Sequence, residues 1–179
     1  LGILKENQGR LVEASEMYIS AIQHDSWVPE SYSRLGTSLF SMGKIQEAQA
    51  ALTEGLEKFP EAPVLHFNLA RCLYTLGRTT EALFHLSATQ AVDPDYPNLD
   101  YNTGMAQFRM QNWTQSILSM KRSLTRSPDQ SHGWYTLARA YRAITKLDSS
   151  HEAIWKAIEL DGTNKDYWVE FTSLGAHYQ

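Results

Sequence analysis

The sequence has a single cysteine, Cys72, so it can build no internal disulfide framework and no cysteine-rich zinc site. A lone thiol suits a reducing compartment such as the cytoplasm. No apolar run approaches the roughly 18 residues of a membrane-spanning helix, so membrane insertion is not expected. No basic stretch leads into a short apolar segment, and no signal or transit peptide is visible. Basic excess is lacking too. Sixteen Lys and Arg stand against 20 Asp and Glu, a net charge of −4, which argues against a nucleic-acid partner. Ten Gly and six Pro in 179 residues are too few for a linker or a collagen-like chain.

Catalytic signatures are missing as well. The six histidines, His24, His66, His85, His132, His151 and His177, form no His-Glu-x-x-His pair and no zinc-ligand spacing. There is no phosphate-binding Gly-x-x-x-x-Gly-Lys-Ser/Thr loop and no Gly-x-Ser-x-Gly elbow. Asp93 and Asp95 flank Pro94 as turn residues. Cys72 reads as a small buried residue. The segment is therefore expected to be noncatalytic, with no cofactor and no metal, which leaves open an enzyme domain elsewhere in a parent chain.

What the sequence has is a period. Pro60, Pro94 and Pro128 recur at one fixed interval of about 34 residues. Four columns of mostly small residues share that spacing. They are Gly2, Gly36, Ala70, Gly104, Ala138; Gly9, Gly43, Gly77, Gln111, Thr145; Ala14, Ala48, Ala82, Ser116, Ser150; and Ala21, Gly55, Thr89, Ser123, Ala157. Within a repeat, apolar residues recur at helical spacing, as in Leu35, Leu39 and Met42, then Ile45, Ala48, Leu52 and Leu56. Glycine after the first helix supplies the backbone freedom that ends it. Pro29, Pro63 and Pro97 fall where a first helix starts and a missing N–H costs little. First helices are expected near 30–42, 63–76, 97–110, 131–144 and 165–178. Second helices are expected near 10–24, 44–58, 78–92, 112–126 and 146–160.

The pattern resembles the tetratricopeptide repeat. Repeat two carries Tyr32, Leu35-Gly36, Leu39, Gly43, Ala48, Leu52, Gly55 and Pro60; repeat five carries Trp134, Leu137-Ala138, Tyr141, Ser150, Ile154 and Ala157. The resemblance implies an all-α solenoid of antiparallel helix pairs stacked into a right-handed superhelix. The repeats would be 1–28 (partial), 29–62, 63–96, 97–130, 131–164 and 165–179 (partial), in a single array. Departures fall at His66 and Asp100, which replace the first aromatic, at Thr103 for leucine and at Gln90 in an Ile/Leu column. These are expected to weaken packing in repeats three and four. The register places Leu1 inside a first helix. It also ends on a helix bearing Tyr167, Trp168, Val169, Phe171, Leu174 and Tyr178, as in a section of a longer array rather than a natural end that folds its aromatics onto repeat five.

In such arrays the inner face, lined by first helices, is expected to bind. Aromatic rungs recur there as Phe67, Tyr101, Tyr135 and as Phe40, Tyr74, Phe108, each one period from the next. Arg34, Arg71, Arg109, Arg139 and Arg142 share the face, with Glu30 the one acid among the inner positions of repeats two to five. Two parallel hydrogen bonds let arginine grip a carboxylate or phosphate. The same aromatics would equally serve as packing between helices, and the same charges as solvated pairs. Arg71 and Asn102 resemble positions of the carboxylate clamp of chaperone-binding arrays, without its lysines. Asn68 and Asn102 resemble two rungs of the asparagine ladder of O-linked N-acetylglucosamine transferase, broken by Arg34 and Thr136. The expected peptide site is Arg34, Phe67, Asn68, Arg71, Tyr74, Tyr101, Asn102, Met105, Phe108, Arg109, Tyr135, Arg139 and Arg142. The expected ligand is an extended acidic, carboxylate- or phosphate-bearing segment of a protein. Self-association through uncovered terminal helices, or a substrate-selecting arm of a larger transferase, are the rival expectations.

Overall fold

The computed structural model describes residues 2–24 and 28–175, so His177 and Tyr178 lie outside the described residues. It is all-α. Eleven helices occur among the described residues, packed as sequential antiparallel pairs. The chain forms two compact units, Leu1–Pro97 and Asn98–Gln179. Unit 1 holds α1 (Gly2–Asn7), α2 (Leu11–Gln23), α3 (Pro29–Ser41), α4 (Ile45–Lys58), α5 (Pro63–Thr75) and α6 (Thr79–Val92). Unit 2 holds α7 (Leu99–Arg109), α8 (Trp113–Arg126), α9 (Ser131–Ala143), α10 (Leu147–Leu160) and α11 (Lys165–Gly175). Pro29 and Pro63 open α3 and α5 as the spacing predicts. Pro97 does not open α7. Asn98 follows it in the left-handed region at φ 59°, and the helix starts only at Leu99.

The small columns are where paired helices touch. A Cβ added at Gly36 would stand 2.6 Å from Leu52 Cγ, and one at Gly2 would stand 2.7 Å from the Tyr18 ring. At Gly104 the obstacle is the flexible end of Met120, 2.9 Å away. Each glycine thus seats a large side chain of the helix that follows, and the missing methyl sets how closely the two helices approach. In unit 2 the next column adds polar ties. The Ser116 hydroxyl donates to the Gly104 carbonyl at 2.9 Å, and Ser150 donates to the Ala138 carbonyl at 2.8 Å. Cys72 is buried, and burial pushes its thiol up to about 11, which keeps it protonated and unreactive near neutral pH.

The turn inside each pair repeats one hydrogen-bond motif. Gly43 N–H donates to Phe40 O at 2.9 Å and Lys44 N–H to Leu39 O at 3.0 Å, which satisfies the carbonyls left open at the end of α3. The same two bonds close α1 at Gly9, α5 at Gly77, α7 at Gln111 and α9 at Thr145. All five residues have positive φ: 74°, 76° and 80° at the glycines, 60° at Gln111 and 59° at Thr145. Open space surrounds the glycines, so a side chain fits there and only its backbone is strained.

At His66 and Asp100 other contacts stand in for the first aromatic. In the matching positions, Trp134 and Trp168 donate their indole N–H to the carbonyls of Pro128 and Gly162, at 2.8 and 2.9 Å. His66 Nε2 makes the equivalent bond to Pro60 O at 2.8 Å, so the imidazole keeps the tie that an aromatic supplies. Asp100 cannot donate. It is buried instead between Arg122 Nε at 2.8 Å and Arg126 at 2.9 Å, so the lost aromatic is replaced by a paired charge.

The other nitrogen of His66 faces a second imidazole. His66 Nδ1 and His85 Nδ1 are 2.8 Å apart, their rings 5.1 Å. Because His66 Nε2 carries the proton given to Pro60, its Nδ1 is the acceptor and His85 Nδ1–H donates. Burial holds the His85 pKa below its usual 6.5, the His66 ring adds to the effect, and Glu81 opposes it.

Two outcomes are expected. Thr145→Gly relieves a left-handed β-branched residue and raises stability by about 1 kcal/mol in urea unfolding, while Gly43→Thr lowers it by about as much. A depressed folded-state pKa at His85 contributes stability that is complete above about pH 6.5 and is lost as pH falls through the folded value. The unfolding midpoint should therefore drop more steeply between about pH 7 and about pH 5 in the native chain than in His85→Ala, and identical slopes would contradict the pairing.

Candidate functional site

In unit 1 the inner side of α3 and α5 carries Arg71, whose guanidinium lies 5.0 Å over the Phe40 ring. Its Nη1 reaches Asn68 Oδ1 at 3.4 Å, and Asn68 Nδ2 donates in turn to Ser33 Oγ at 2.9 Å. Asn68 is buried, so its amide is spent on fastening α5 to α3. Phe67 is buried too, against the Tyr96 ring at 4.8 Å. Burial raises the Tyr96 phenol, and Glu30 and Asp93 add to this while Arg71 opposes it, which places the arginine within electrostatic reach of Tyr96. Tyr74 is half-buried.

Arg34 stands apart from Arg71 in chemistry. Its Nε lies 2.8 Å from Glu30 and its Nη1 3.2 Å from Glu6, which also accepts the Tyr18 hydroxyl at 2.8 Å. Its charge is answered within the fold.

In unit 2, Arg139 on α9 lies 5.0 Å over Phe108 and 5.4 Å over Tyr135. Tyr135 packs on Tyr167 at 5.0 Å and against His132 at 5.6 Å. Burial raises the Tyr135 phenol, against Arg139, and lowers His132, with Arg139 adding to that. Thr136 Oγ1 donates to His132 O at 2.9 Å and contacts Met105 Sδ at 3.4 Å. The Asn102 amide is turned onto its own helix, donating to Asn98 O at 2.9 Å. Tyr101 and Met105 are half-buried against the unit 2 core, and Arg109 is exposed at the end of α7. Arg142 lies 2.9 Å from the buried Glu170 and donates to Ser173 Oγ at 3.1 Å.

The expected site residues thus divide by what holds them. Phe67, Asn68 and Asn102 are committed to packing or to hydrogen bonds within the fold. Arg34 and Arg142 are neutralised by carboxylates. Arg71 and Arg139 are supported from one face by an aromatic ring, with no carboxylate at ion-pair distance among the described residues. Their geometries match. Each stacks at 5.0 Å on the phenylalanine near the end of the preceding first helix, Phe40 or Phe108, and the two pairs occupy the same columns of the repeat.

Sequence reasoning misses Glu6, Tyr96 and Glu170 as neighbours of the site. The period holds a signal for the two acids. Glu6 falls in the column of Arg142 and Glu170 in the column of Arg34, so both ion pairs join the same two columns with the charges exchanged. Tyr96 lies in a turn between helices, where no periodicity points to it. Among the described residues no group of three or more His, Cys, Asp or Glu could hold a metal, and no helix is long and apolar enough to cross a membrane.

The tetratricopeptide repeat family model matches residues 39–108. No curated protein matches the sequence. Among solved structures, a MamA chain from Desulfovibrio magneticus RS-1 superposes with a TM-score of 0.72 at 18% identity, covering 84% of this chain and 90% of that one. YrrB, described as a repeat protein of this family with an unusual peptide-binding site, gives 0.77 at 17% identity over 93% of this chain and 86% of its own. A chain of the APC/C hetero-tetramer Cut9–Hcn1 gives 0.79 at 18% identity over 99% of this chain and 36% of that one. At such identities the likeness is one of fold, and the fold is generally a noncatalytic scaffold for protein–protein interaction. Residues 39–108 thus match the tetratricopeptide repeat, and the same antiparallel helix pairing continues on either side of them, so the chain has the fold of tetratricopeptide repeat proteins.

Proposed function

We propose that this chain is a noncatalytic scaffold that binds extended acidic protein segments on the inner faces of its first helices, with Arg71 the anchoring cation in unit 1 and Arg139 in unit 2. The observation that carries this reading is the pair of guanidiniums stacked at 5.0 Å on Phe40 and Phe108 and left without a carboxylate at ion-pair distance among the described residues. The cation–π contact with the ring holds each guanidinium in place. The N–H edge remains for a carboxylate or phosphate to meet with two parallel hydrogen bonds. Less conformational freedom is then lost when the ligand arrives. Tyr74 in unit 1, and Phe108 and Tyr135 in unit 2, offer rigid apolar area beside the charges, the complement of aliphatic stems in an extended chain.

Arg34 and Arg142 take a different role in this reading. Their pairs with Glu6, Glu30 and Glu170 fasten helices, and an incoming acid would have to displace a carboxylate already in place. The test is fluorescence anisotropy with a glutamate-rich peptide. Arg71→Ala and Arg139→Ala are each expected to weaken binding at least about tenfold, and each lysine substitution to recover only part of it. Arg142→Ala is expected to leave affinity near the native value and to lower stability instead, because Glu170 stays buried without its cation. Equal affinity in the native chain and in the Arg71→Ala/Arg139→Ala double variant would remove the assignment.

A further inference from the structure

On the outer side of unit 2, helices α8, α9 and α10 enclose a slot of about 420 Å³. Leu124, Trp134, Leu137, Tyr141 and Ala153 form its apolar lining. Trp134 is a fixed wall, because its indole N–H is tied to Pro128 O at 2.8 Å. The repeat supplies a comparison within the same chain. Two periods earlier, the notch between α4, α5 and α6 has His66 and His85 where the slot has Trp134 and Ala153. In unit 1 the two imidazoles meet at 2.8 Å across that notch. The unit 1 notch is nonetheless of similar size, about 440 Å³, so the two differ in their walls and not in volume. What sets the slot apart is its lining, with Trp134, Tyr141 and Ala153 where unit 1 has His66, Leu73 and His85.

The rim differs in the same direction. Lys121 and Lys156 stand where unit 1 has Thr53 and Ala88. Lys156 is paired with Glu159 at 2.7 Å, and Arg122 and Arg126 are both directed to Asp100. Lys121 has no carboxylate at ion-pair distance among the described residues, on a helix, Trp113–Arg126, that carries no acid anywhere along its length. Glu152 lines the opposite, α10 side. An occupant therefore meets a cation on one flank and an anion on the other, which disfavours a second acid beside Glu152.

We infer that this outer slot is a second protein-docking site, separate from the inner face, which takes one large apolar side chain of a partner segment with a single carboxylate beside it set against Lys121. The volume admits a large apolar side chain together with part of the segment that carries it, and the Trp134 and Tyr141 rings supply apolar contact area. The ion pair at the rim sets orientation more than affinity.

The probe is the capped peptide acetyl-Ala-Phe-Glu-Ala-amide, titrated into the ¹⁵N-labelled full chain. A saturable shift of the Trp134 indole N–H is expected, lost when the peptide phenylalanine is alanine and weakened about threefold when its glutamate is lysine. By anisotropy with a labelled peptide, Lys121→Thr should weaken binding about threefold, and Trp134→His with Ala153→His, which copies the unit 1 pair, should abolish it. Arg71→Ala/Arg139→Ala should bind this peptide unchanged, which separates the slot from the inner-face reading. Absence of a saturable shift at Trp134 up to about millimolar peptide overturns the inference. So does unchanged affinity in Lys121→Thr, which alters an exposed side chain and decides the matter if the double histidine variant does not fold. Loss of binding in the inner-face double variant overturns it as well.

Discussion

The closeness of two helix backbones is the constraint on which the rest depends. Gly36 against Leu52 and Gly104 against Met120 show how it is met: one helix gives up a side chain so that its partner's can occupy the space. Neither helix has enough apolar surface to fold alone, so the energy lies in that contact and in the equivalent contact with the next pair. Once the distance is set, the carbonyl of Gly104 comes within reach of Ser116, and the turn between the helices has one economical form. The left-handed residue at the end of each first helix follows from that form, whether the sequence provides glycine or not.

A fold held by local repetition leaves its other surfaces free to diverge. The inner positions of α5 and α9 carry stacked arginines, while Arg34 and Arg142 are absorbed into ion pairs. Four cations that look alike in composition therefore divide into two paired with carboxylates and two set against aromatic rings with no carboxylate at ion-pair distance among the described residues. The net charge of −4 conceals this division, since it averages satisfied and unsatisfied groups.

The period makes most of the architecture legible from sequence. Small residues at fixed spacing imply helix crossings, and the proline at the head of α3 or α5 marks a start, because these are backbone requirements that few residues meet. The late start of α7 is not legible: Pro97 looks like its counterparts, and only the left-handed Asn98 after it shows that the helix waits for Leu99. Asp100 misleads for a different reason. Its replacement partners, Arg122 and Arg126, lie a helix away, and pattern matching compares a position with its own column and not with the residues that face it. The same limit hides the burial of Phe67 and Asn68. Both are inner-facing positions of α5, yet exposure depends on what the neighbouring helix and the Tyr96 turn place over them.

The exchanged ion pairs, Glu6 with Arg34 and Arg142 with Glu170, have a wider meaning. Both use the same two columns, so the scaffold tolerates either order of charge at nearly the same geometry. A position in this chain has an address given by its remainder on division by the period, and the address fixes what shape is admitted. The chemistry written there is free to vary from copy to copy. Divergence can thus proceed as editing within a fixed grammar, where one rung changes its sense while the sentence around it still parses.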